Sequence, residues 1–196
     1  MASMNEVRTA IAATARLLDA MAADEALCAA TAYAAETCVA ALRAGRKVMI
    51  CGNGGSAADA QHWAGELVSR FHYERPGLPA IALTTDSSIL TAIGNDYGYE
   101  CVFARQVEAL GVAGDVLIAI STSGNSPNVV AALEAARGRG IATIGCSGET
   151  RGAIAALSDI RIHIPSRSTP RIQEGHGVLG HAICAMIEAA IFPRAA

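Results

Sequence analysis

From residue 47 onward the chain repeats one unit: a short apolar run, a polar turn, and a stretch with helical periodicity. The runs are Lys47–Cys51, Pro79–Leu83, Asp115–Ile120, Ala142–Cys146 and Ile160–Ile164. Short runs that stay apolar at successive positions suit strands buried on both faces. Between the first four lie expected helices near 57–71, 87–94 with 101–110, and 127–138, and a short one near 152–157 follows the fourth. A last helix is expected from Thr169-Pro170, an N-cap followed by proline at the first helical position, to about Phe192. This alternation predicts an α/β fold, a doubly wound five-stranded parallel sheet with helices on both faces. Ligands of such sheets sit outside the carboxyl ends of the strands. The polar turns 52–56, 84–88, 121–126 and 147–149 fall there.

Two helices precede the first strand. Met4, Val7, Ile11, Leu18 and Met21 mark a narrow apolar stripe, with Thr14 as a polar interruption in its row. Leu27, Ala30, Ala34, Val39 and Leu42 mark a second helix, which Gly45 can end. Residues 1–196 are expected to form a single domain, with the helical pair of 1–45 packing on it and at a subunit interface.

Composition narrows the partners. The only lysine is Lys47, against fourteen scattered arginines and a net charge of −3, so no basic stripe offers itself to nucleic acid. The apolar segment from Val178 to Phe192 is interrupted by His181 and Glu188, so no membrane partner is expected and the cytoplasm is the default location. Six cysteines never fall into C-x-x-C spacing, which favours buried reduced thiols over zinc knuckles or disulfides.

Three stretches can carry chemistry. Gly52-x-Gly54-x-x-Ala57 meets the loose dinucleotide fingerprint directly after a strand. That reading needs an acidic residue closing the second strand to hold a ribose. Glu74 comes before that strand, and Asp86 comes too late. In Ser121-Thr122-Ser123-Gly124-Asn125-Ser126-Pro127, four hydroxyls gather on a turn that leads into a helix capped by Ser126. A helix N-terminus with added hydroxyl donors and no lysine suits a phosphate handle that is gripped and released unchanged.

The third is split between two helices. His62 and Glu66, four apart, share a face, as do Gln173 and His181, eight apart. Gly177 and Gly180 beside the latter face leave room for something to approach, while Glu174 and His176 point elsewhere. Two imidazoles, a carboxylate and an amide oxygen would suit zinc or a similar divalent ion. Asn95-Asp96, expected in a turn after a short helix, can serve either as a helix stop with Gly94 or as polar groups for sugar hydroxyls.

Gly52-Asn53-Gly54-Gly55-Ser56, the Ser121–Ser126 stretch and Arg171-Ile172-Gln173-Glu174 resemble the sugar-isomerase (SIS) domain family. With His62, Glu66 and His181 they are similar to its phosphoheptose isomerase branch, over essentially the whole chain. The resemblance implies a flavodoxin-like sheet and a homotetramer with active sites between subunits. It also implies conversion of sedoheptulose 7-phosphate into D-glycero-D-manno-heptopyranose 7-phosphate, toward lipopolysaccharide-core heptose. By the same resemblance, Ser121, Thr122, Ser123 and Ser126 would hold the phosphate, and Asn53, Gly54, Gly55, Asn95 and Asp96 would line the sugar. Glu66 and Gln173 would also face the substrate.

His62, Glu66, Gln173 and His181 would bind one zinc ion per subunit. Isomerisation through an enediol needs a base near C1/C2 and an acid at the oxygens. The resemblance implies Glu66 as base and His181 as acid. A carboxylate fully bound to zinc is a poor base, so either the metal shifts or Glu66 coordinates loosely during turnover. A related branch shares the fold but binds a replication initiator and lacks the carboxylate; Glu66 argues against that alternative.

Overall fold

The computed structural model describes residues 3–194. In chain order the elements are α1 (Met4–Ala23), α2 (Glu25–Arg43), β1 (Val48–Gly52), α3 (Gly55–Val68), β2 (Ala80–Ala82), α4 (Ser87–Tyr97), α5 (Ala104–Leu110), β3 (Val116–Ile120), α6 (Pro127–Gly138), β4 (Ala142–Ser147), α7 (Ile154–Leu157), β5 (Ile160–His163) and α8 (Thr169–Ile191). A 3-10 turn at Tyr99–Cys101 precedes α5. The five strands form one parallel sheet in the order β2-β1-β3-β4-β5. The order reverses between β1 and β3, so the carboxyl ends of those two strands border the crevice where such folds take ligands.

Side-chain alternation divides the strands between two cores. Val48, Ile50, Val116, Ile118, Ile120 and Ile144 face a core shared with α2, α3 and α8. Met49, Cys51, Leu117 and Ala119 face the other, shared with α5, α6 and Ile154 of α7. The lone lysine has a structural task at the opposite end of the sheet from the crevice. Its Nζ lies 2.6 Å from Oδ2 of the buried Asp115, just before β1 and β3 begin.

The leading helices are well capped but unequally buried. Ser3 and Glu6 close a capping box on α1, and Asp24 caps α2 through the Leu27 N–H. α2 lies across α8 and β5, with Leu27, Ala34, Cys38, Val39 and Leu42 inside the first core. α1 buries only Leu17 and Met21, and the start of its stripe stays exposed at Met4 (78%), Val7 (58%) and Ile11 (65%). Thr14 is a docking point: its hydroxyl donates to Glu174 Oε2 at 2.8 Å and accepts from Arg171, tying α1 to α8.

Several boundaries differ from the sequence expectation. α3 runs over 55–68 instead of 57–71, because Gly54 takes φ +55° and lets the helix start directly off the turn. α4 continues through Gly94, Asn95 and Asp96 to Tyr97, so those residues are helical and not in a turn. Gly98, at φ +93°, follows the helix end. A glycine inside a helix costs only about 1 kcal/mol, too little to stop one. The N-cap of α8 is Ser168, one residue before the threonine expected there. No helix among the described residues is long and apolar enough to cross a membrane.

Candidate active site

The glycine turn after β1 and the hydroxyl turn after β3 meet because their strands are neighbours, with Gly52 paired to Ile120 at the last register position. A reciprocal amide pair locks them together. Asn53 Nδ2 donates to Asn128 Oδ1 at 2.8 Å, and Asn128 Nδ2 returns a bond to Asn53 Oδ1 at 2.9 Å. Tyr99 adds its hydroxyl to the same Asn53 oxygen at 3.2 Å. Asn128 and Tyr99 lie outside the sequence motifs. Asn128 directly follows Pro127 at a helix start, a weak signal; Tyr99 carried none.

In the hydroxyl turn, Ser121 Oγ lies 2.9 Å from Ser126 Oγ and 3.5 Å from Ser123 Oγ. Ser126 is the N-cap of α6, yet its side chain makes no cap bond to that helix. Its hydroxyl faces the cluster, so the positive end of α6 keeps a donor-rich surround. The Thr122 carbonyl accepts from Gly148 N–H at 3.1 Å, anchoring the turn to the loop after β4. The grouping expected of Ser121, Ser123 and Ser126 is present, with Thr122 in the same turn. Gly124 stands at φ +70° against the backbone of Arg151 and Gly152, which holds the turn in shape.

The second half of the site comes from α3 and α8, which lie side by side and run in the same direction. Gly55 abuts Gln173, His62 faces His181, and Trp63 abuts Gly180. His62 Nε2 and Glu66 Oε1 are 3.1 Å apart, and the Nε2 atoms of His62 and His181 are 3.3 Å apart. A ligand atom from each of His62, Glu66 and His181 lies within 4.8 Å of the others, which makes the group able to hold a metal ion. Both imidazoles are exposed and Glu66 is part-buried, so the cluster opens outward. Two nitrogens and an oxygen converging on one point, with an open side, fit a divalent ion that keeps a free coordination position.

The Gln173 amide is directed at Gly55, seven residues before His62 on α3. Gly180 has a different task from the one expected: the Trp63 indole fills the room that its missing side chain leaves. Glu174 pairs with Arg171 at 2.7 Å, and His176 is buried with Nε2 3.3 Å from Ser147 O, so both do point away. Burial pushes the His176 imidazole down to about 4, against a small upward pull from Ser147.

Asp59 was missed. One turn before His62, it could have been found from the 59, 62, 66 spacing on one helical face. Burial raises its carboxyl, the nearby His62 and His181 pull it back down, and its Oδ2 is buried with no partner.

Asn95 and Asp96 make no hydrogen bond to either turn; Asn95 Nδ2 donates to Asp96 Oδ1 at 2.8 Å. Asp96 instead borders a cleft of about 370 Å³ with Ile89, Ile93, Tyr97 and Arg105. Their nearest link to the glycine turn is through Tyr99, three residues on from Asp96, which reaches Asn53.

A SIS-domain family model matches residues 11–148, and the chain belongs to that family. Its place within the family is among the phosphoheptose isomerases. The phosphoheptose isomerase of Burkholderia pseudomallei (strain 1710b) is 55% identical over 96% of this chain and 95% of its own length. That of Aneurinibacillus thermoaerophilus is 53% identical over 96% of both chains. The solved structure of a phosphoheptose isomerase from Neisseria gonorrhoeae is 45% identical, covers 94% of this chain and 98% of its own, and superposes with a TM-score of 0.89.

Proposed function

We propose that the chain isomerises sedoheptulose 7-phosphate to D-glycero-D-manno-heptopyranose 7-phosphate, with Glu66 and His181 moving the protons. The observation that carries this reading is the convergence of His62, Glu66 and His181 from the facing helices α3 and α8, in a chain whose hydroxyl-lined turn stands at the crevice of the sheet. Ser121, Thr122, Ser123 and Ser126 grip the phosphate. The N-terminus of α6 supplies positive potential without a lysine, so the phosphate is bound but not activated for transfer. Asn53, Gly54 and Gly55 line the sugar, and the bond from Asn128 orients the Asn53 amide. In the assembled protein Gln173, Asn95 and Asp96 also face substrate.

The Glu66 carboxylate takes the proton from C1 and returns it to C2. His181 donates a proton to O2 and recovers one from O1, so the enediol forms and collapses with no net gain or loss of protons. His62, Glu66 and His181 would hold a zinc ion, with Gln173 as the expected fourth ligand in the assembled protein, and the ion when bound would supply Lewis acidity toward the substrate oxygens. Glu66 would serve as base with the metal either shifted away or loosely bound. The product feeds heptose into lipopolysaccharide in the cytoplasm.

The exposed Met4, Val7 and Ile11 of α1 support an oligomer, which we take to be a homotetramer with each site completed between subunits. Incubation with sedoheptulose 7-phosphate, with chelator or added zinc, tests the reading by following aldose formation. Absence of product under every metal condition would overturn it in favour of a non-catalytic binding protein. Sedimentation as a monomer would overturn the assembly.

A further inference from the structure

The loop after α3 is joined to α8 by a buried ion pair that none of the proposed chemistry uses. Arg75 Nε lies 3.0 Å from Glu188 Oε1, and the two side chains are 2% and 1% exposed. Arg75 extends its remaining donors to the end of α3. Its Nη2 donates to Glu66 O at 2.7 Å, and its Nη1 to Leu67 O at 2.6 Å, Ser69 O at 3.2 Å and Pro76 O at 3.0 Å. The last carbonyls of a helix have no partner within it, and α3 carries no basic residue in its own last turn. Glu188 completes the arrangement by accepting from Phe71 N–H at 2.8 Å and His72 N–H at 2.7 Å.

The partners sit at telling positions. Arg75 binds the backbone carbonyl of the proposed base itself. Glu188 lies seven residues beyond His181, two turns along the same face of α8. The chain segment they hold carries Phe71, whose ring centroid is 5.6 Å from that of His181. A buried ion pair is a poor source of net stability, since desolvating both charges consumes most of the attraction. What such a pair can do instead is fix how two elements sit relative to each other.

We propose that Arg75 and Glu188 are positioning residues for the proton-transfer and metal cluster, setting the offset at which Glu66 on α3 meets His181 on α8. The inference rests on the reading of His62, Glu66 and His181 as that cluster. It predicts that disturbing the pair loosens the cluster while leaving the distant hydroxyl turn intact.

The test uses full-length Glu188→Gln and Arg75→Lys proteins, each checked for folding by circular dichroism. The lysine keeps Glu188 neutralised but cannot reach several carbonyls at once, so it carries the test where Glu188→Gln fails to fold. Cobalt(II) is titrated by its absorption spectrum, and kcat and KM are measured for sedoheptulose 7-phosphate. We expect cobalt affinity and kcat to fall roughly 10–100-fold, the usual effect of losing a group that orients ligands, with KM within about twofold of wild type. Variants that bind cobalt and turn over like wild type, even with a lowered melting temperature, would reduce the pair to a strut and overturn the inference. A wild-type protein that binds no cobalt and forms no aldose would instead sink the underlying reading, and the inference with it.

Discussion

The Trp63 indole occupies the place where a side chain on Gly180 would stand. This contact decides how closely α3 and α8 approach, one residue from His62 on one helix and from His181 on the other. Gly180→Ala should therefore force the helices apart. Overpacking a filled site costs typically about 1–3 kcal/mol, so a lower denaturation midpoint is expected, together with weakened metal binding. Gly177, with open space around its Cα, should accept alanine with little change, which makes it the control.

Glu66→Gln keeps the size of the side chain and removes its basicity. Turnover should drop by about 10²–10⁴-fold, the range of a positioned general base, while the protein stays folded and oligomeric. Normal turnover by this variant would show that the proton moves through another group.

Ser123→Ala removes a hydroxyl from the turn without touching α3 or α8. Hydrogen bonds to charged groups contribute about 1.5–3 kcal/mol, so KM for the phosphorylated sugar should rise roughly 10–100-fold. Thermal stability should hardly change, since Ser123 is exposed. Unchanged affinity would exclude this hydroxyl from the phosphate site.

His176 makes acid stability predictable in sign. Its pKa is about 4 in the fold, below the ordinary value of 6.5, so the unfolded chain binds its proton first. The contribution is complete above 6.5 and is lost as pH falls toward 4. At about 1.4 kcal/mol per unit the full loss amounts to about 3 kcal/mol. Urea midpoints of wild type and His176→Leu between pH 7 and 4 measure this, and the variant should show the flatter curve.

The cysteines should react in two classes. Cys38, Cys51 and Cys146 are buried, with thiols pushed up to about 12 chiefly by desolvation, whereas Cys28 is exposed. A disulfide reagent at pH 8 should modify Cys28 promptly and reach those three only after unfolding. Prompt modification of all three in the native protein would contradict the buried assignment.

The succession of strands and helices along the chain, the two polar turns and the shared face of His62 and Glu66 are legible in the sequence, because each depends on residues close together in the chain. Continuous apolar runs suit strands buried on both faces, as β1 and β3 are, while β2 and β5 at the sheet edges keep exposed positions, and a spacing of four puts two side chains on one helical face. The approach of His181 to His62 was not legible. It depends on how two helices more than a hundred residues apart pack, and Gly180 looked like an opening for a ligand until Trp63 was seen to fill it. The same holds for the Asn53–Asn128 amide pair and for Arg75 with Glu188. At Asn95-Asp96 the expected turn is helix instead, because a glycine is too weak a signal to end α4. Periodicity and turn chemistry, which are local, determined the elements and the kinds of groups they carry. Packing over the two faces of the sheet, which is not local, decided which of those groups meet.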